Sequence, residues 1–164
     1  VNPSQIGERA EAAVVAALIH VGKSVYLPFG GSGRADMVFE DDGGLHRVQV
    51  KNGVLRSNTV RFSACSHTND DPQDYRGQVE YLGVYCDETQ SAYLIPVDAV
   101  PLRAGTLRLT PPANNQRKLI RWAQDYRLPW SPPRLILDGF TVAPDPDDLV
   151  MRNNRTTQDS DPRR

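Results

Sequence analysis

Four side chains in the first third of the chain could together hold a divalent cation and act on a phosphodiester: Glu11, Asp36, Gln49 and Lys51. The Asp36 and Glu11 carboxylates, the Gln49 amide oxygen and the Val50 carbonyl are hard oxygen donors of the kind Mg²⁺ takes, with Mn²⁺ as a substitute. An ion so held polarises a phosphodiester and lowers the pKa of a bound water for in-line attack. Lys51 beside it suits either of two roles, stabilising charge on the phosphorane or orienting and deprotonating the nucleophile. Taken singly, each of these residues is better explained as surface or strand-end polarity. Their joint placement favours the metal site.

That placement depends on a hairpin. Apolar and polar residues alternate over 35–40 and over 45–51, and Asp41, Asp42, Gly43 and Gly44 supply turn chemistry between them. Opposed positions in an antiparallel pair add to a constant, so Glu40 faces Leu45, Val38 faces Arg47 and Asp36 faces Gln49. Opposed Cβ atoms stand roughly 5 Å apart, and the period of two keeps Lys51 on the face that carries Gln49. A one-residue slip would turn Asp36 away from Gln49.

Residues 2–22 predict a helix, with Ser4 as its N-cap and Gly22 as its stop. Ile6, Ala10, Ala13, Val14, Ala17, Leu18 and Val21 form its apolar stripe. At about 100° per residue Glu11 falls on the flank of that stripe, whereas Glu8 falls nearly opposite its centre. Glu11 is therefore the acid that can reach the edge of a sheet on which the helix packs. Further strands are expected at 23–28, 59–64, 79–86 and 91–96, the last two as a hairpin, with a loop over 65–73 and irregular structure over 97–112. A second helix is expected at 114–126, anchored by Trp122 and Trp130.

The chain has 164 residues, 39% hydrophobic and 24% charged, which suits one domain with a real core. We expect that domain over 1–130, an extended segment over 131–149 and a disordered polar tail over 150–164. No apolar run approaches membrane-spanning length, no leader pattern stands at the start, and Val1 leaves upstream residues open. Cys65 and Cys86 form no metal spacing and no disulfide framework, so a reducing, cytoplasmic setting is expected. Net charge is −1, which argues against a protein basic all over. Locally, Arg47, Lys51, Arg56 and Arg61 lie between Asp42 and Asp70 with no carboxylate among them. A solvated sheet face explains such a stripe about as well as phosphate binding does.

Gly7 to Glu11 in a helix, Arg34-Ala35-Asp36, a turn, and Val48-Gln49-Val50-Lys51 form an ordered set similar to the PD-(D/E)XK nuclease superfamily. The Q-x-K form resembles its group I intron-associated homing endonuclease branch. So do Phe62-Ser63, Tyr75-Arg76-Gly77 and the segments around Val84 and Val97. The resemblance runs from about Ile6 to Val97. It implies an α/β (α+β), restriction-endonuclease-like core in which a mixed central sheet is flanked by helices. It further implies metal-dependent hydrolysis of double-stranded DNA, with Glu11, Asp36, Gln49 and Lys51 as the catalytic set.

Gln49 stands where the commoner form has an acid, which removes one negative charge and lowers the expected metal affinity. The helix expected after the Lys51 strand could only be a short one over 72–77. Arg34, Arg47, Arg56 and Arg61, with Ser63, Ser66 and His67, are then candidates for contacts that fix a DNA backbone without reading bases. A single small domain spans few base pairs, so a homo-oligomer, dimer or tetramer, is expected. Branched-DNA, repair or restriction cleavage by the same fold remains open, as does a nuclease fold kept only as a DNA-binding module.

Overall fold

Pro3 at the start of the first helix explains where that helix begins. Proline has no N–H to satisfy, so the Asn2 side chain caps the next free donor, the Ser4 N–H, at 3.1 Å. Asn2, not Ser4, is the N-cap. The structure, a computed structural model, describes residues 2–30, 33–68, 71–111 and 120–130, with the strand pair Ile136–Leu137 and Phe140–Thr141. The helix, α1, spans Pro3–His20. It closes as a Schellman motif: Gly22, at φ +81°, donates to the Ile19 carbonyl and Lys23 to that of Leu18.

Ala10, Ala13, Val14, Ala17 and Leu18 bury one face of α1 against Met37, Phe39, Val48, Val50, Tyr85 and Ala92 of the sheet. The sheet strands are β1 (Ser24–Tyr26), β2 (Met37–Asp41), β3 (Gly44–Arg56), β4 (Thr59–Ser63), β7 (Tyr81–Cys86), β8 (Ser91–Pro96) and β9 (Ala104–Arg108). A small separate hairpin, β5 (Ser66–Thr68) with β6 (Asp71–Gln73), occupies the segment expected to be a loop. Neighbours run β1-β2-β3-β4-β9, while β7 pairs with β3 and carries β8. All pairings are antiparallel except β3 with β7, which makes the sheet mixed.

β3 is the strand on which everything else is hung. It runs past Lys51 to Arg56 and turns into β4 through Ser57 and Asn58, both at positive φ, as a tight hairpin turn requires. A second apolar cluster fills the other sheet face, including Val60, Phe62, Tyr75, Leu82, Val84, Tyr93, Ile95 and Leu107.

The helix rests closely on the sheet because β7 has a glycine beneath it. A Cβ at Gly83 would stand 2.9 Å from Val14 Cγ1 and 3.1 Å from Val48 Cγ1. Gly83→Ala is therefore expected to destabilise the fold by about 1–3 kcal/mol in urea unfolding, since a packed core resists an added methyl.

Two expectations need correcting. Among the described residues α1 is the only α-helix, and it packs on one face of the sheet. The parallel step from β3 to β7 passes through β4, the small hairpin and a turn in which the Tyr75 carbonyl accepts from Gln78 and Val79, both at 3.0 Å. No helix forms over 72–77. Of the helix expected at 114–126, residues 114–119 lie outside the described set. The remainder holds a single 3₁₀ turn, Ala123–Asp125. The Arg121 carbonyl is taken by the Arg108 N–H at 2.8 Å and Trp122 bridges to Arg108, which ties the segment to β9.

The chain divides into compact units Val1–Ser131 and Pro132–Arg164. Apart from the pair β10 (Ile136–Leu137) and β11 (Phe140–Thr141), the expectations for 131–164 fall outside the described residues. Among the described residues no helix is long and apolar enough to cross a membrane.

Candidate active site

β2 pairs with β3 in the register expected from the turn, with Glu40 opposite Leu45 and Val38 opposite Arg47. Asp36 stands one residue before β2, just outside the paired register. Its N–H still donates to the Val48 carbonyl at 2.9 Å, but upstream of it the chain leaves the sheet. The Val50 N–H, pointing the same way as that of Val48, has no strand partner there. The Asp36 carboxylate takes the partner's place, accepting from Val50 N at 2.6 Å. A half-buried carboxylate is thus held by the sheet's own unpaired donor.

The Gln49 amide nitrogen donates to the same Asp36 oxygen and, at 3.3 Å, to the Val50 carbonyl. Two oxygens therefore converge on one polar group at the point where β2 and β3 part. A half-turn of that amide exchanges its nitrogen for its oxygen, giving three oxygen donors around one point. The residues present fit a hard divalent cation. Among the described residues no three His, Cys, Asp or Glu side chains gather, so such an ion would rest on two carboxylates, an amide and a backbone carbonyl.

Burial holds the Asp36 carboxyl above its ordinary pKa, against the pull of the Val50 N–H and of the Lys51 charge. Glu11 is exposed as a residue, yet its carboxyl too is pushed up, first by partial desolvation, then by the Asp36 charge and then by that of Glu8. Glu11 is thus close enough to Asp36 for the two to repel. Replacing Asp36 with Asn is expected to move the Glu11 titration, followed by carboxyl NMR, part of the way down towards the ordinary glutamate value. Only part is recovered because desolvation is the larger cause.

Lys51 shares the face of Gln49, as the alternation requires. Its ammonium donates to the Tyr75 hydroxyl at 2.8 Å and stands 4.7 Å from that ring's centroid.

The expected DNA-contacting residues do not form one surface. Arg47 is on the Gln49 face but pairs with Glu80 at 2.6 Å, its backbone N–H donating to the same carboxylate. That bonding lowers the Glu80 pKa and raises that of Arg47. Arg34 donates to Gln78, Ser66 and the Asp74 carbonyl, which engages Ser66 as well. Ser63 donates to the Cys65 carbonyl at 2.9 Å. His67 is exposed, its Nε2 4.0 Å from Cys65 Sγ. Arg56 and Arg61 are exposed, and alternation along β3 and β4 puts them on the sheet face away from Gln49 and Lys51.

Tyr75, Gln78 and Glu80 are the residues near the site that sequence reasoning did not single out. Tyr75-Arg76-Gly77 was legible as a motif, yet nothing in its spacing tied Tyr75 to Lys51.

The family model for PD-(D/E)XK endonucleases matches residues 1–129. Among solved structures, the bacterial homing endonuclease I-Ssp6803I is similar, with a TM-score of 0.60 and 19% identity over 98% of this chain and 100% of that one. At that identity the likeness shows the fold, and the restriction-endonuclease-like core expected from the motifs stands. No curated protein sequence matches the chain. With the family model covering the whole segment that carries Glu11, Asp36, Gln49 and Lys51, the chain belongs to the PD-(D/E)XK endonuclease family.

Proposed function

We propose that this endonuclease hydrolyses phosphodiester bonds of double-stranded DNA with Mg²⁺, or Mn²⁺ in its place, held by Asp36, Gln49, the Val50 carbonyl and Glu11. The observation that carries the reading is the convergence of Asp36 and the Val50 carbonyl on the Gln49 amide where β2 and β3 part. The ion, when bound, polarises the scissile phosphate and acidifies a water. The protein's own groups do the rest. The Val50 N–H fixes one oxygen of Asp36 and thereby aims the carboxylate. Lys51, held as a hydrogen-bond donor, is set to stabilise negative charge developing on the phosphate. Glu11 approaches from α1 and supplies the second negative charge, which partly offsets the neutral Gln49.

Cutting both strands of a duplex needs two such sites, so the working unit in this reading is a homo-oligomer related by two-fold symmetry, as a homing-type enzyme requires. Two free, buried thiols, Cys65 and Cys86, suit a reducing, cytoplasmic setting. The test is incubation of the purified chain with supercoiled and linear duplex DNA in Mg²⁺, in Mn²⁺ and in EDTA. Cleavage in both metals and none in EDTA is expected. Salt-dependent DNA binding with no cleavage in either metal would make the protein a binding module instead.

A further inference from the structure

Tyr75 is 2% exposed, yet its hydroxyl is not turned into the core: it accepts the Lys51 ammonium proton at 2.8 Å. Two cations stand by its ring, Arg34 Cζ 4.3 Å from the centroid and Lys51 Nζ, at the hydroxyl end, 4.7 Å from it. Arg34 is itself clamped. It donates to Gln78 Oε1 at 2.5 Å, to Ser66 Oγ at 2.6 Å and to the Asp74 carbonyl at 3.0 Å. Arg34 lies two residues before Asp36, and Lys51 two residues after Gln49. Tyr75 is therefore a buried side chain that touches a neighbour of each half of the candidate metal set, and Arg34 fastens the turn that presents it.

Physical reasoning gives this contact a purpose. A lysine side chain has four rotatable bonds and a point charge that water can draw in any direction. A hydrogen bond to a fixed phenol restricts that charge to one place. A phenylalanine would fill the core as well as a tyrosine, so burial alone does not account for the hydroxyl.

We propose that Tyr75 is a positioning residue of the nuclease site, fixing the Lys51 ammonium relative to Asp36 and Gln49, with Arg34 as the brace that holds Tyr75. The proposal rests on the reading above that Lys51 acts in cleavage. Arg34 and Ser66 then serve the site from within the protein.

The experiment compares Tyr75→Phe, Lys51→Met and wild type by single-turnover cleavage at saturating duplex DNA, by DNA affinity in EDTA and by thermal midpoint. Removing a hydrogen bond to a charged group that counts only in the rate step lowers the rate constant by about tenfold to a hundredfold. Tyr75→Phe is expected to show that loss with DNA affinity within about twofold and an unchanged midpoint. A wild-type rate in Tyr75→Phe while Lys51→Met is slow overturns the proposal. So does a rate loss matched by lost affinity or a lower midpoint, which marks a merely structural tyrosine. A wild-type rate in Lys51→Met overturns the role of Lys51, and the positioning role with it.

Discussion

Asp36→Asn is expected to lose DNA cleavage by about a thousandfold and yet to fold at least as stably as the wild type. The rate loss follows from removing the charged oxygen donor at the centre of the site, since single donors to developing charge are worth about a hundredfold to a thousandfold and a metal ligand stands at the upper end. The stability claim follows from the environment. Asparagine keeps an oxygen that can accept the Val50 N–H, so no backbone donor is orphaned.

What it removes is a carboxylate whose folded pKa is raised by burial, close to a second raised carboxyl, Glu11. A raised acid favours the fold when protonated, and that advantage is lost as pH rises from the unfolded value, about 4, through the folded one. At neutral pH the wild type therefore carries a penalty that Asp36→Asn lacks. Asp41, Asp74 and Glu80, whose pKa values are lowered by their partners, act in the opposite sense in both proteins. Their stabilisation fades as pH falls through their folded pKa values. The difference between wild type and variant in urea midpoint, measured from pH 4 to pH 8, reports Asp36 together with its repulsion of Glu11. It should widen as pH rises. Concurrent loss of activity and of stability at neutral pH would mean that Asp36 is chiefly structural.

Lys51→Met is the second large effect, with cleavage lowered by about a hundredfold to a thousandfold. Methionine keeps an unbranched apolar stem against the Tyr75 ring while deleting the ammonium that donates to its hydroxyl. The fold should be undisturbed, because the Tyr75 ring stays covered and water can reach the half-buried position that Nζ leaves. Loss of one cation among many weakens DNA binding by less than tenfold, so the defect should lie in the single-turnover rate and not in affinity. A loss confined to affinity would recast Lys51 as one more backbone-binding cation.

The hairpin that carries Asp36 and Gln49 was legible because Asp42-Gly43 sits between two clean alternations, which leaves one register that buries Met37, Phe39, Val48 and Val50 together. The phase of α1 likewise separated Glu11 from Glu8, since five buried residues fix the orientation of that helix. What escaped was non-local. Tyr75 meets Lys51 across 24 residues, on a turn that has no period to read. Three-residue strands such as β5 and β6 are too short to alternate visibly. The basic stripe looked continuous along the chain, but alternation sends Arg56 and Arg61 to the other face and Glu80, 33 residues on, neutralises Arg47. The turn after Arg56 could have been found, because Ser57-Asn58 between strand-forming residues is a hairpin signal. β3 itself runs on to Arg56, past the end of the alternation at Lys51.

The most direct test of the site is a crystal of the wild-type chain soaked in Mn²⁺, with the ion located by its anomalous scattering. The expected result is a peak bound by the Asp36 carboxylate, the Gln49 side-chain oxygen and the Val50 carbonyl, with Glu11 on its near side. Manganese bound elsewhere, or the Gln49 nitrogen still seated between Asp36 and Val50 at saturating metal, would contradict it.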